Sequence, residues 1–433
     1  MLFNQTVRNK SGSESMMADT VSQNIGLGIK SKGLSGPLLP DIGVVAFVPE
    51  EWGGPWMSRH QVLTRLSQYF HVVWAEPARG WRELGFGGGK PVDRSHRPEM
   101  FPQGFVLYQP GKWLPQFGRP AWLASWTAAE RGRRAAALLR RRGCRTIVFY
   151  LWRPYFDYVL DSDTYDLSCY HIVDEYSFSP SEQPLDNREV QLIKRVDQVF
   201  IHSPALLDRK GHFNPHTLFV PNGVDYRAFA TPQAEPADLK EIPYPRLGYV
   251  GNIKTQLDFR VLLELATRHL EWSFVFVGLK GNLGMDATLV DQLSELQNVH
   301  FLGHKPIEIA CAYPQHMDVC LLPYKFNDYT KYIYPLKLHE YLAGGKPIVG
   351  TPIRSLLDFA HVIKLASTQE EWSRALTESL APDAVSIDQV QKRRSIARQV
   401  DWETLVHDIA RSICNRLGPP YREQFNALNL ETF

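Results

Sequence analysis

In the stretch YIYPLKLHEYLAGGKPIVG, residues 332 to 350, Lys337 and Glu340 stand among leucines between a proline and a pair of glycines. A carboxylate stripped of water without a partner costs several kcal/mol, so Glu340 beside Leu336, Leu338, Leu342 and Ala343 points to a ligand. Pro335 suits a helix start, where its missing N–H is no loss. The amides that follow, Leu336 among them, then face outward at a positive dipole end, a ready site for a diphosphate. Lys337 adds a cation to the same place. Glu340 lies on the face of Leu336, and Gly344 or Gly345 ends the helix. The plain alternative is that Glu340 is a solvated surface residue.

A second set of carboxylates sits in YHIVDEYS, where Asp174 and Glu175 end a predicted strand. A carboxylate there could deprotonate an acceptor hydroxyl, for which burial must raise its pKa. Otherwise Asp174 caps the following turn and Glu175 is solvated. His171, inside the strand, reads as core. In PEEWGGPWMSRH, Gly53 and Gly54 permit close backbone approach to a ligand, and Arg59 begins a helix where it could meet a phosphate of acceptor or donor. A surface arginine is the simpler account of Arg59.

The elements that must position these residues alternate. GVVAFV (43 to 48) is a strand, RHQVLTRLSQYF (59 to 70) a helix and HVVWAEP (71 to 77) a strand, which makes a βαβ unit and a parallel sheet. The pattern continues through the helix AWLASWTAAERGRRAAALLRRRG and the strands RTIVFYLW, SCYHIVDE, QVFIHS and TLFVPN. The fold class is therefore α/β, with a first doubly wound domain over residues 41–225. The Pro-rich residues 226–246 read as a linker. A second α/β domain over 247–400 contains RLGYVGN, SFVFVG, NVHFLG, DVCLLPY and PIVGT as strands. A final amphipathic helix within 401–433 is expected to return to the first domain. Residues 1–40 have little periodicity and read as a disordered extension, with Met16 or Met17 a conceivable start. An interdomain cleft at the carboxyl ends of the strands is the expected ligand site.

Of 433 residues, 44% are hydrophobic and 22% charged, with a net charge of +2, so no global field marks a nucleic-acid binder. The five cysteines show neither metal-ligand nor disulfide spacing, which predicts a reducing cytoplasm and no structural zinc. No membrane span or signal segment is evident.

VPNGVDYRAF, YVGN, FVFVG, NVHFLG, DVCLLPY and PLKLHEYLAGGKPIVG, in this order, resemble the GT-B glycosyltransferases of family 4 type. MSRHQVLTRLSQYFHVVWAEP and YHIVDEYSFS are similar to the bacterial surface-polysaccharide subgroup that includes teichuronic acid biosynthesis enzymes. The resemblance implies two Rossmann-like domains and a nucleotide-diphosphate-sugar donor on the second. It also implies a lipid-linked or polysaccharide hydroxyl acceptor on the first, retention of configuration, and no bound metal or other cofactor. It places Glu340 on the donor ribose and Asn222 and Gly223 at the interdomain hinge, where Asp225 is read as a cap.

The sequence departs from that family in two places. Where a first glutamate would contact the donor sugar stands Tyr332, which loosens the inference of retention. After Gly251, the family's two cations on the diphosphate are replaced by Asn252 and Gln256, leaving Lys254 as the nearest substitute in that loop. Two other readings fit these departures: a non-catalytic partner of the same fold, and a sugar-nucleotide epimerase. GFGGGKP (85 to 91) lacks the spacing of a phosphate loop, and GLG at Gly26 follows no strand. The helix ERGRRAAALLRRRG, preceded by Trp113, Trp122 and Trp126, offers a basic face to anionic headgroups at the cytoplasmic leaflet, though it could equally expose its arginines to water.

Overall fold

The computed structural model describes residues 36–53, 56–80, 102–176 and 187–428. The readings at Met16, Met17, Gly26, Gly54 and residues 85–91 fall outside these. The short β-branched and aromatic runs form parallel strands covered on both faces, as all-parallel sheets require. The first domain runs β1 (Ile42–Phe47), α1 (Ser58–Leu66), β2 (His71–Ala75), β3 (Phe105–Tyr108), α2 (Ala121–Arg140) and β4 (Thr146–Leu151). It continues through β5 (Leu167–Ile172), α3 (Asn187–Arg195), β6 (Gln198–Ile201), α4 (Pro204–Lys210) and β7 (Thr217–Phe219). Its seven strands lie in the order β3-β2-β1-β4-β5-β6-β7. The edge strand β3 went unread because FVLY is short and follows a long polar stretch.

Residues 226–246 are not a free linker. They begin with α5 (Tyr226–Ala230), and Leu239 and Ile242 enter the core of the second domain. Asp238 binds Tyr313 at 2.8 Å and Lys305 at 2.7 Å. The prolines here shape a wrapped segment rather than a spacer.

The second domain runs β8 (Arg246–Val250), α6 (Phe259–Arg268), β9 (Ser273–Val277), α7 (Ala287–Glu295), β10 (Val299–Gly303), α8 (Ile307–Ala310) and β11 (Val319–Leu322). Next come α9 (Leu336–Gly344), β12 (Ile348–Gly350), α10 (Arg354–Leu357), β13 (Lys364–Leu365), α11 (Gln369–Ser379) and α12 (Ile387–Gln399). Its six strands lie in the order β10-β9-β8-β11-β12-β13. In each sheet the order reverses beside the first strand, at β1/β4 and at β8/β11, and such a switch point opens a crevice at the carboxyl ends.

The chain then crosses back. Val224 and Asp401 form a parallel bridge, with Val224 N–H donating to Val400 O at 3.1 Å and Trp402 N–H to Val224 O at 3.0 Å. Asp401 caps α13 (Trp402–Leu417), which α14 (Pro419–Asn426) follows. Leu405, Val406, Ile409, Ala410 and Ile413 recur at helical spacing and are buried with β1 and α1 in the first domain's core. Arg65 of α1 ties the junction to Glu403 at 2.9 Å and to Asp225 at 3.4 Å. All five cysteines are buried and free.

Candidate active site in the interdomain cleft

β8 ends at Val250, whose N–H donates not to a strand but to the Tyr341 hydroxyl of α9, at 2.9 Å. This bond fixes the start of the glycine turn against the helix. Gly251 follows with φ +150°, and a Cβ there would stand 1.8 Å from Lys337 Cε. Gly278, at the end of β9 with φ +148°, would bring a Cβ within 2.1 Å of Gly251 O. Only glycine fits either position. We expect Tyr341→Phe to cost about 1–3 kcal/mol in urea unfolding, because it strands a buried N–H. A neutral result would detach the helix from the turn.

Pro335 is the N-cap residue of α9 rather than its first helical residue, and Gly345 at φ +74° closes the helix in the left-handed region. Lys337 extends over the turn, its Nζ 5.5 Å from the Tyr249 ring, and makes no salt bridge among the described residues. Tyr249 donates to Asn252 O at 3.2 Å and is hydrogen-bonded to Tyr324. Asn252 therefore serves the site through its backbone. Glu340 is half-buried, and its carboxylate has no hydrogen bond or salt bridge among the described residues. Burial raises its carboxyl pKa, partly offset by Lys337. A cation over a glycine turn, helix-start amides and an accessible unpaired carboxylate can receive a diphosphate and a vicinal diol.

Lys254 does not join Lys337. It is exposed and lies along Gly281, where a Cβ would stand 3.1 Å from its Cγ. Gln256 is hydrogen-bonded to Tyr329, whose hydroxyl donates to Asp174 Oδ2 at 3.4 Å. This chain of contacts crosses from the second domain to the first. Asp174 Oδ1 also accepts from Glu175 N–H at 2.8 Å, the turn cap, and burial raises its pKa.

Glu175 is neither solvated nor poised as a base. Its side chain is fully buried, 3.2 Å from Arg209 and 3.4 Å from Lys210. Lys210, equally buried, reaches Glu189 at 2.9 Å, and Tyr170 donates to the same carboxylate at 3.1 Å. A carboxylate so engaged is structural. Arg209 also donates to the Tyr332 hydroxyl at 3.0 Å, so the residue in the expected sugar position is drawn to the first domain.

Arg59 is not a surface residue. It is 5% exposed, paired with Glu50, and lies over Trp152. The partner leaves it committed within its own domain rather than aimed at a phosphate. Gly53 has open space where a Cβ would project. Leu336 packs on the first domain's core. Asn222 donates to Tyr334 O at 2.6 Å, and Gly223 lies against Val400, Trp402 and Leu405. His171 is core, stacked on Trp152 and 2.9 Å from the Tyr150 hydroxyl. Asp225 accepts from Ala228 N–H as the cap of α5. Among the described residues no cluster of three or more His, Cys, Asp or Glu could hold a metal ion.

Sequence reasoning missed Tyr341, Gly278, Tyr329 and Arg209. Gly278 closes the run SFVFVG and was legible as a turn glycine. Tyr341 reads as an apolar helix residue, and nothing in the spacing of Tyr329 or Arg209 signals a contact across domains.

Two parallel-sheet domains facing each other across this cleft define the GT-B fold, and the chain has it. Solved structures bear this out. The UDP-forming trehalose-phosphate synthase of Burkholderia xenovorans is similar at TM-score 0.60 and 12% identity, over 86% of this chain and 99% of that one. The lipopolysaccharide biosynthesis glycosyltransferase WaaG is similar at TM-score 0.52 and 13% identity, over 86% and 98%. Residues 244–381, most of the second domain, match the family model described as glycosyl transferases group 1. A Bacillus subtilis (strain 168) protein named as the teichuronic acid biosynthesis glycosyltransferase TuaH is 32% identical over 241 residues, 52% of this chain and 58% of that protein. The chain thus spans a little over half the length of that relative.

Proposed function

We propose that the protein is a glycosyltransferase that moves a sugar from a nucleotide-diphosphate donor to a hydroxyl, in the synthesis of a surface polysaccharide. The carrying observation is Lys337 held over Gly251. The second domain would bind the donor, with Glu340 accepting hydrogen bonds from the ribose hydroxyls. Lys337 and the first amides of α9, rather than a metal ion, would stabilise charge on the departing diphosphate. The first domain would present a lipid-linked or oligosaccharide acceptor. The match of residues 244–381 to the group 1 family model and the name of the Bacillus subtilis relative support this reading.

Asp174 would act in positioning rather than as a free base, since both its oxygens are engaged. We read the transfer as a front-face route with retention, which needs no separate base. Closure brought about by the Gln256, Tyr329 and Asp174 contacts would exclude water that hydrolyses the donor.

The test is thermal stability against UDP, GDP, dTDP and ADP. A nucleotide at a hundredfold excess over its dissociation constant should stabilise by about 2.7 kcal/mol. One base is expected to shift the wild type and not Glu340→Ala. No shift with any nucleotide would overturn the donor site and favour a non-catalytic partner. With the donor so identified, NMR of the product's anomeric centre reads the stereochemistry, and inversion would return the base role to Asp174.

A further inference from the structure

The carboxyl ends of β1, β2 and β3 close one side of a cavity, where Phe47, Glu76 and Tyr108 stand at or just past the last residue of each strand. The rest of the wall comes from α2, through Arg131, and from the turn after β4 (Pro154–Asp161), through Tyr155 and Phe156. None of the residues proposed to hold the donor lines it. Its aromatic wall is continuous, with the Phe156 ring 4.6 Å from Tyr155 and 6.1 Å from Phe47. Tyr108 is half-buried, and its hydroxyl is shielded from solvent with no hydrogen-bond partner among the described residues. A hydroxyl in that state costs free energy until something bonds it.

Arg131 brings an unbalanced charge to the same place. Its Nη1 donates to Leu114 O at 3.2 Å and Pro115 O at 2.9 Å, while Nε and Nη2 have no partner among the described residues. The carboxylates of the surrounding elements are committed elsewhere. Glu130, its neighbour in α2, pairs with Arg133 at 3.0 Å and Arg134 at 2.8 Å. Asp157 and Asp161, on the turn after β4, pair with Arg188 and Arg195. Glu76, the one acid among the lining residues, accepts from Trp52 N–H at 3.1 Å and makes no ion pair with Arg131. Burial draws the Arg131 guanidinium down to about 10, the direction expected of a cation without a countercharge. Holding the loop to α2 uses Nη1 alone, and the remaining fork of donors matches a carboxylate or a phosphate.

We infer that this cavity binds the acceptor and that the acceptor is an acidic sugar, its ring against Tyr155 and Phe156 and its carboxylate or phosphate on Arg131 and the Tyr108 hydroxyl. The cavity lies at the carboxyl edge of the sheet that carries Asp174, the edge that borders the cleft. The acidic sugar follows from first-domain residues alone, whereas its role as acceptor rests on the proposed glycosyl transfer.

The test is calorimetric titration and saturation-transfer NMR of the full chain, without donor, using methyl glucuronoside, glucose-6-phosphate, methyl glucoside and inorganic phosphate at millimolar concentrations. One of the two sugar acids is expected to bind about tenfold or more tighter than methyl glucoside, the worth of a charge-assisted hydrogen bond. A preference for the glucuronoside assigns the acid to a ring carboxylate, and one for glucose-6-phosphate assigns it to a phosphate. Arg131→Gln should abolish the preference and leave methyl glucoside unaffected. Tyr108→Phe, which keeps the ring, should weaken the preferred acid by about threefold or more and decides the matter if the arginine variant does not fold. An unchanged melting temperature and nucleotide shift would show that the variants fold. Equal binding of neutral and acidic sugars, inorganic phosphate binding as tightly as either sugar acid, a preference kept by the folded variants, or no binding by any probe would overturn the inference. Sugar-acid binding without any nucleotide shift would keep this site while the donor reading fell, and a nucleotide shift without sugar-acid binding would do the reverse.

Discussion

Lys337→Ala is expected to lower kcat/KM for sugar transfer by about 100- to 1,000-fold, or roughly 3–4 kcal/mol of transition-state stabilisation. The reason is positional. Among the residues proposed to face the diphosphate, Lys254 is turned to Gly281, and Asn252 and Gln256 carry no charge, so the positive charge rests on Lys337 and the helix start. Because charge on the leaving group grows toward the transition state, the loss should fall mainly on kcat. Gly251→Ala provides an independent route to the same defect, since its Cβ would occupy the path of the lysine stem. Release of nucleoside diphosphate, measured with the donor identified by thermal shift, checks both. A Lys337→Ala enzyme within a few-fold of wild type would remove this lysine from the mechanism.

Lys210→Met should cost about 3–5 kcal/mol of stability. Lys210 is fully buried between Glu175 and Glu189, and methionine fills the space without the charge. Burial already raises the Glu189 pKa, with Lys210 pulling it back down. Without the lysine, the folded-state carboxyl pKa rises further above its unfolded value. The folded protein then binds the extra proton as pH falls, so the variant regains stability on acidification. Urea unfolding should show a larger penalty at about pH 8 than at about pH 5. A penalty independent of pH would mean that packing, not charge, holds this region.

The fold was legible because it rests on short-range patterns. Apolar strand runs, glycine ends and the periodicity of the helices are each written within a few residues, and they led to two doubly wound domains. The helix side of the candidate site was legible for the same reason: Pro335, Lys337, Glu340 and Gly345 belong to one helix. The first-domain side was not. Glu175 looks like a free carboxylate at a strand end until Lys210, Arg209 and Glu189 close around it. Arg59 likewise looks like a surface arginine until Glu50 and Trp152 enclose it. Such identities depend on partners brought together by tertiary packing, and a local pattern holds no trace of them. The polar stretch around Tyr329 is ambiguous in the same way, because its meaning depends on a domain encoded far upstream.

The return of α13 to the first domain also fixes an order of events at the ribosome. Arg65 and its partner Glu403 are separated by 338 positions, with the whole second domain between them. At about 5–20 residues per second, roughly 20 to 70 s pass between synthesis of the two. The domain translated first is therefore completed last. Until its closing helix emerges, α1 presents to solvent an apolar groove shaped for Leu405, Ile409 and Ile413, whereas the second domain, contiguous in the chain, can form its sheet as it is made.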